Sequence, residues 1–249
     1  MTQRTRIVVQ VEQDGPLEIR DVELPTPGGH DVLVEIEATG VCQSQVFWTH
    51  QPRTQPVLFG HEGYGRVLEV GPEVTGVEPG DHVLVTWLPR ADRAGRPPKV
   101  SEADLADGSV GRSPNVYTWA EHVVADELFV YRLPGPAAPE TSVAACAVLT
   151  GAGAVLHAPI DLAGRSVAVI GAGGVGLSAV AAARAGGAAH VYVLDLVPDK
   201  LDFARRFGAT ETFDVGTTDP AEILARAGGV DLAVDCVATT ATMNQAIAL

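Results

Sequence analysis

Three side chains stand out as soft metal ligands: Cys42, His61 and Cys146. Two thiolates and one imidazole suit zinc. They fill three of four tetrahedral positions and leave the last for water or a substrate, and the thiolates neutralise the charge of the ion. Their wide separation suits a reactive centre assembled from distant parts of a fold, whereas structural sites usually show tight CxxC pairs. The same residues would serve equally as two small buried hydrophobes and a turn histidine, so spacing alone leaves both readings open. The third cysteine, Cys236, sits in an apolar run and is expected to be buried. Three scattered cysteines argue against a disulfide framework.

A second chemistry-bearing stretch runs from Val167 to Asp195, VAVIGAGGVGLSAVAAARAGGAAHVYVLD. Its order is apolar strand, glycine turn, alanine-rich helix, apolar strand and acid, the context in which a GxGxxG run signals dinucleotide binding. Gly171 permits the tight turn, Gly173 lets the backbone approach a pyrophosphate, and Gly176 lets the helix pack closely, with Gly174 and Val175 in the same turn counted among the cofactor-binding residues. The helix start offers unpaired N–H groups to phosphates. Asp195 lies nineteen residues after Gly176, where its carboxylate would accept from the adenosine ribose and repel the extra phosphate of NADP, which favours NAD.

These residues need elements to hold them. From Arg6 to Gly40, the β-rich runs RIVVQV, LEIRDVEL and DVLVEIEATG are separated by turn signals, and a loop carrying Cys42 follows. Gly60, Gly63 and Gly65 suggest close backbone approaches. The stretch from Pro89 to Pro114 lacks a sustained apolar period and reads as a surface lobe or long loop. Residues 117–133 return to β character, and one helix is expected from Glu140 to His157, bridging two domains. Beyond Asp195 the pattern predicts a helix at 197–207, a strand at 211–214, a helix at 220–227, a strand at 230–237 and a helix from Thr242.

With 249 residues, 46% of them hydrophobic, the chain can bury a sizeable core. Its formal charge of −14, from 31 acidic and 17 basic residues without a basic block, argues against nucleic acid and anionic membrane surfaces as partners. The N-terminus shows neither a secretory signal nor a membrane span, so a cytoplasmic location is expected.

The runs GVCQSQ, GHEGYGRVLEVG, VEPGD, CAVLTGAGAV, VIGAGGVG and LDLVPDKLDFARRFGA, in this order, resemble the successive signatures of zinc-dependent medium-chain alcohol dehydrogenases. The resemblance covers nearly the whole chain. It implies an α/β protein: an N-terminal GroES-like β-rich catalytic domain over 1–148, and an incomplete Rossmann doubly wound parallel sheet over 149–249. It also implies one catalytic zinc on Cys42, His61 and Cys146, with Glu62 as the neighbouring carboxylate and Ser44 as the hydroxyl that passes on the proton of the alcohol. Thr150 and Val175 match positions near the nicotinamide, and Lys200, in the run after Asp195, is assigned with it to the cofactor. The implied reaction is hydride transfer between a small-molecule alcohol and NAD, giving an aldehyde or ketone.

Several positions depart from that pattern. Gln45 stands where the family commonly has an aspartate that orients the histidine ligand, so the outer partner that tunes the metal differs. Phe47 replaces a proton-relay histidine, and His50 nearby reads as a solvated surface residue. The lobe from Pro89 to Pro114 has no cysteine, so no structural zinc is expected. Pocket walls are expected from Phe47 and Trp48, Trp87 and Leu88, and Trp119. One mononucleotide half plus a fourth strand is expected where six strands are usual, which reads as a C-terminal truncation with an exposed strand edge, poor stability and weak turnover. The full-length form is expected to be a homo-oligomer through an interface strand this chain lacks. The competing readings are a zinc-free NADPH-dependent medium-chain reductase and a truncated non-catalytic nucleotide-binding protein.

Overall fold

A computed structural model describes residues 3–91, 95–218, 226 and 228–249. The chain forms two compact units, Met1–Cys146 and Ala147–Leu249.

The first unit is built from β1 (Gln3–Gln10), β2 (Glu18–Leu24), β3 (Asp31–Thr39), α1 (Gln43–Thr49), β4 (Val57–Leu58), β5 (Glu62–Val70) and β6 (His82–Thr86). It continues with β7 (Glu102–Asp104), β8 (Val110–Arg112), β9 (His122–Asp126) and β10 (Val130–Arg132). Two five-stranded sheets result, in the orders β2-β1-β4-β8-β7 and β10-β6-β5-β3-β9. Alternation sets the faces: Ile7 and Val9 of β1, Val32 and Val34 of β3, Val83 and Val85 of β6 and Val123 of β9 point into one core. A side chain at Gly65 would run into the carbonyl of Glu35 on β3, so the glycine lets β3 and β5 approach where β3 carries a bulge.

The lobe expected as a surface loop takes part in the first sheet. Strands β7 and β8 form a hairpin that buries Ala103 and Leu105 in the core, and β8 joins the lobe to β4. The preceding segment is held by Asp126. Its carboxylate accepts from Arg96 Nη1 (2.5 Å) and Nη2 (3.0 Å), from the backbone N–H of Lys99 (2.9 Å) and from that of Leu128 (3.0 Å). Residues 92–94 of the lobe lie outside the described residues.

The second unit comprises α2 (Ala147–Leu156), β11 (Ser166–Ile170), α3 (Gly174–Ala185), β12 (His190–Asp195), α4 (Pro198–Phe207), β13 (Glu211–Asp214), β14 (Leu232–Asp235) and α5 (Thr240–Ala248). Among the described residues its four strands are all parallel, in the order β13-β12-β11-β14. Residues Val167–Ile170 and Val191–Leu194 are buried, as central strands covered on both faces require. Val169 and Val193 pack with Val180 and Ala183 of α3 in one cluster, while Ile170 and Leu194 join Phe213 in another. Strand β14 lies at the edge of the sheet and its residues are half-buried. The helix expected over 220–227 falls, apart from Arg226, outside the described residues. No single helix among the described residues is long and apolar enough to cross a membrane.

The single helix expected from Glu140 to His157 is two pieces. A 3-10 segment covers Pro139–Ala145, α2 begins at Ala147, and Cys146 sits at the break with φ −137° and ψ −73°. Cys42 also differs from expectation: it is the residue before the first turn of α1, in extended backbone conformation, and α1 occupies what reads as a loop in the sequence.

Candidate metal centre and glycine turn

Three different pieces of the first unit deliver the candidate ligands. Cys42 enters where β3 runs out and α1 begins, and His61 follows the sharp bend at Gly60 between β4 and β5. Gly60 has φ +87°, and a side chain there would collide with the backbone nitrogen of Trp119 and with Thr118 Oγ1, so only glycine fits the bend. Cys146 is tethered from behind: Thr86 Oγ1 donates to the carbonyl of Ala145 (2.6 Å), and Cys146 N donates to Val143 O (3.3 Å).

Ligand atoms of Cys42, His61 and Cys146 all lie within 4.8 Å of one another. The two sulfurs are 3.7 Å apart. Two thiolates bound to one tetrahedral zinc at the usual Zn–S distance lie about 3.8 Å apart, so the spacing matches a shared ion. His61 Nδ1 is engaged by Gln45 Nε2 at 2.8 Å, while His61 Nε2 is buried without a hydrogen-bond partner, an unusual state for a polar atom. The Cys42 thiol is pulled down to about 3, chiefly by the hydrogen bond from Cys146 and next by His61, with burial opposing and Ser44 assisting. A thiolate, not a thiol, is the form that binds a metal. Cys236 behaves oppositely: it lies just beyond β14, half-buried, and burial followed by Asp235 pushes its thiol up to about 11. The donor set fits zinc.

The residues around the centre fall into place unevenly. Ser44 Oγ donates to Cys42 Sγ at 3.3 Å. Glu62 is buried beside His61, with its side chain against the backbone of Gly40. Phe47, 61% exposed, and Trp48 lie on α1 rather than on a loop. Trp119 stacks on Phe59 with centroids 5.7 Å apart and donates to Gly40 O at 3.0 Å, so it buttresses the strand end that leads to Cys42. Leu88 is exposed, while the ring nitrogen of Trp87 is buried without a partner. His50 is exposed and meets Asp14 Oδ1 at 2.5 Å. The double engagement of Gln45, to His61 and to Gly60 N (2.6 Å), has no local sequence signal, because its partners lie fifteen and sixteen residues away.

In the second unit, Gly171 has φ +94° and closes the turn after β11. Gly173 precedes α3, and a side chain there would meet nothing within 4 Å, so the backbone faces open space. A side chain at Gly176 would strike the carbonyl of Gly171 and approach Val169, which makes that glycine obligatory for packing α3 on β11. Asp195, at the end of β12, reaches back to the turn: Oδ2 accepts from Ala172 N at 2.7 Å and Oδ1 from Val197 N at 2.9 Å. Gly174 and Val175 open α3, and the carbonyl of Val175 packs against Gly151 of α2. Thr150 is exposed on α2, and Lys200 is exposed in the first turn of α4.

Both units match known domain families. Residues 28–135 match the alcohol dehydrogenase GroES-like domain, and residues 174–249 match the zinc-binding dehydrogenase domain. The class-3 alcohol dehydrogenase of Cereibacter sphaeroides is 31% identical over 283 residues, covering 98% of this chain and 74% of the relative. Among solved structures, an alcohol dehydrogenase zinc-binding domain protein from Burkholderia ambifaria aligns with a TM-score of 0.88 and 30% identity, over 99% of this chain and 74% of that one. Benzyl alcohol dehydrogenase from Acinetobacter calcoaceticus aligns with a TM-score of 0.85 and 25% identity, over 98% and 74%. The chain belongs to the zinc-dependent medium-chain alcohol dehydrogenase family. It is an oxidoreductase of the alcohol dehydrogenase type, and a small-molecule substrate follows from that class.

Proposed function

We propose that this chain interconverts an alcohol and its aldehyde or ketone with NAD as the hydride carrier, and that Cys42, His61 and Cys146 hold the single catalytic zinc. The convergence of two sulfurs 3.7 Å apart on a buried, partnerless imidazole nitrogen carries the zinc assignment. When bound, zinc would act as a Lewis acid that makes an alcohol hydroxyl easier to deprotonate and polarises a carbonyl. The remaining work falls to the chain. Cys42 and Cys146 supply negative charge that offsets the ion, and Ser44, anchored to Cys42 Sγ, offers a hydroxyl beside the centre to take up and pass on a proton. Glu62, buried and adjacent to His61 in the chain with its side chain against Gly40, is the neighbouring carboxylate that the family resemblance assigns to the centre.

The preference for NAD rests on the glycine turn and Asp195. The open face at Gly173 and the unpaired N–H groups at the start of α3 suit a pyrophosphate. Hydrogen bonds from Ala172 and Val197 hold the Asp195 carboxylate at the turn, where a 2′-phosphate would meet its negative charge. Gly171, Gly174, Val175 and Gly176 shape this turn, and Lys200 and Thr150 are assigned to the cofactor by resemblance alone. The test is alcohol-dependent reduction of NAD and of NADP by the zinc-loaded protein. Turnover with NAD well above that with NADP, abolished in Cys146→Ser, supports the reading; equal turnover in that variant, or a preference for NADP, contradicts it.

A further inference from the structure

Helix α1 carries Ser44 beside the candidate centre, yet little within the helix holds it in place. It is seven residues long, well short of the roughly 12–15 residues at which an isolated helix is even marginally stable. Its sequence, QSQVFWT, includes β-branched and aromatic residues that favour helix weakly, no charge complements either end, and only Gln45 is buried. The first turn is pinned by Gln45 to Gly60 N and by Ser44 to Cys42 Sγ. The last turn depends on partners from outside the helix.

Those partners are Arg53 and the turn between β1 and β2. The carbonyls that end a helix have no donor within it, and here each finds one. Thr49 O accepts from Asp14 N (3.1 Å), His50 O from Gln13 Nε2 (2.9 Å), Trp48 O from Arg53 Nη2 (2.5 Å) and Gln51 O from Arg53 Nε (3.3 Å). The other arm of Arg53 donates to Oε1 of Gln10, a buried side chain at the end of β1, and Gln10 Nε2 donates in turn to Gly15 O (2.6 Å). Asp14 presents its N–H from a left-handed conformation, φ +57°, which aspartate tolerates better than most residues. A guanidinium carries five N–H donors in a planar fork, so one side chain can hold three acceptors at once. Arg53 thereby joins α1, the segment after it and β1 into one piece.

We propose that Arg53 is a positioning residue for the alcohol dehydrogenase reaction: by tying the last turn of α1 to Gln10 and the β1–β2 turn, it fixes the line along which the helix presents Ser44 to the centre. The inference rests on the role given to Ser44 above and deepens it. Releasing the last turn leaves the pins of the first turn in place, so the metal ligands keep their positions while the helix tilts. A misplacement of about 1 Å at a reacting group can cost about 100-fold, so Arg53→Ala is expected to lower kcat/KM by about 10- to 100-fold with zinc content unchanged.

Two measurements on the full chain test this. The first is amide hydrogen exchange in metal-free protein, read by mass spectrometry over residues 43–51 and, as a control, over 62–70 of β5, in the wild type, Arg53→Ala and the milder Gln13→Ala. Faster exchange over 43–51 with β5 unchanged, more so in Arg53→Ala than in Gln13→Ala, is the expected result. Unchanged exchange over 43–51, or an equal rise in β5, overturns the proposal. The second is the solvent deuterium isotope effect on turnover of benzyl alcohol with NAD by zinc-loaded protein. A merely structural Arg53 would lower the number of active molecules and leave the isotope effect as in the wild type, whereas a misplaced Ser44 slows passage of the proton and raises it. A larger isotope effect in Arg53→Ala, together with the loss in kcat/KM, supports the positioning role; an unchanged one overturns it. If the wild type shows no turnover while exchange responds as expected, the anchoring of α1 stands and the proposed function is what falls.

Discussion

Gly60 is the position where a single methyl group should do most harm to the first unit. Two effects add in Gly60→Ala. Its φ of +87° places any L side chain in the left-handed region, which costs about 1–2 kcal/mol. The new methyl would also overlap the backbone nitrogen of Trp119, which cannot swing away, and Thr118 Oγ1, which is held by hydrogen bonds with Thr39 Oγ1 and Glu62 N, and overpacking of this kind costs about 1–3 kcal/mol. The expected loss is about 2–5 kcal/mol, a large share of a typical domain stability. Gly80 supplies the control: its φ is +95°, yet a side chain there would meet nothing within 4 Å. Gly80→Ala should therefore lose only the backbone part, about 1–2 kcal/mol. Urea unfolding followed by tryptophan fluorescence, with the denaturant slope unchanged, measures both. If Gly60→Ala costs no more than Gly80→Ala, the close approach of the Gly60 bend to Thr118 and Trp119 is wrong, and with it the reason for the placement of His61.

The glycine turn gives a matched pair: Gly173→Ala should fold as the wild type within about 0.5 kcal/mol, because φ is −81° and the space is open, yet weaken NADH binding in a fluorescence titration. Gly176→Ala should destabilise the second unit outright, and the reverse order in either assay counts against the assignment. For Asp126, burial raises the carboxyl, but hydrogen bonds from Arg96, Leu128 and Lys99 outweigh it and leave the group below its ordinary value. A carboxylate depressed in this way contributes stability that is full above the unfolded value of about 3.9 and is lost as pH falls through the folded one. Asp126→Asn should lower stability at neutral pH and flatten its fall below about pH 4; a parallel acid limb in both proteins would show that the Arg96 clamp contributes nothing.

The elements that the sequence predicts well are those long enough to show a period or bounded by strong punctuation. Runs such as RIVVQV and DVLVEIEATG form β1 and β3, and the strand–glycine–helix–strand order around Gly171 forms β11, α3 and β12 as expected. The misses have physical causes. Helix α1 is seven residues long with only Gln45 buried, too short and too exposed to show an apolar stripe. Strands β7 and β8 are three residues each, and the core, not their own alternation, recruits Ala103 and Leu105. The break at Cys146 lies in an apolar, alanine-rich run that reads as continuous helix, and nothing local marks it; the hydroxyl of Thr86, fifty-nine residues away, caps the carbonyl just before it. The candidate ligands are visible as residue types, but what holds them is not. Gly60 meeting Thr118 and Trp119, and Gln45 bridging Gly60 and His61, are contacts between segments distant in sequence.

The central claim is that two thiolates and one imidazole on the first unit hold one metal ion. Elemental analysis of the purified chain, with the wild type beside Cys42→Ser, His61→Ala and Cys146→Ser, tests it most directly. One zinc per chain in the wild type, and its loss in each of the three variants while each remains folded by circular dichroism, is the predicted result. Zinc retained in folded Cys42→Ser or Cys146→Ser, or a wild type that takes up none from zinc-supplemented buffer, would contradict the account.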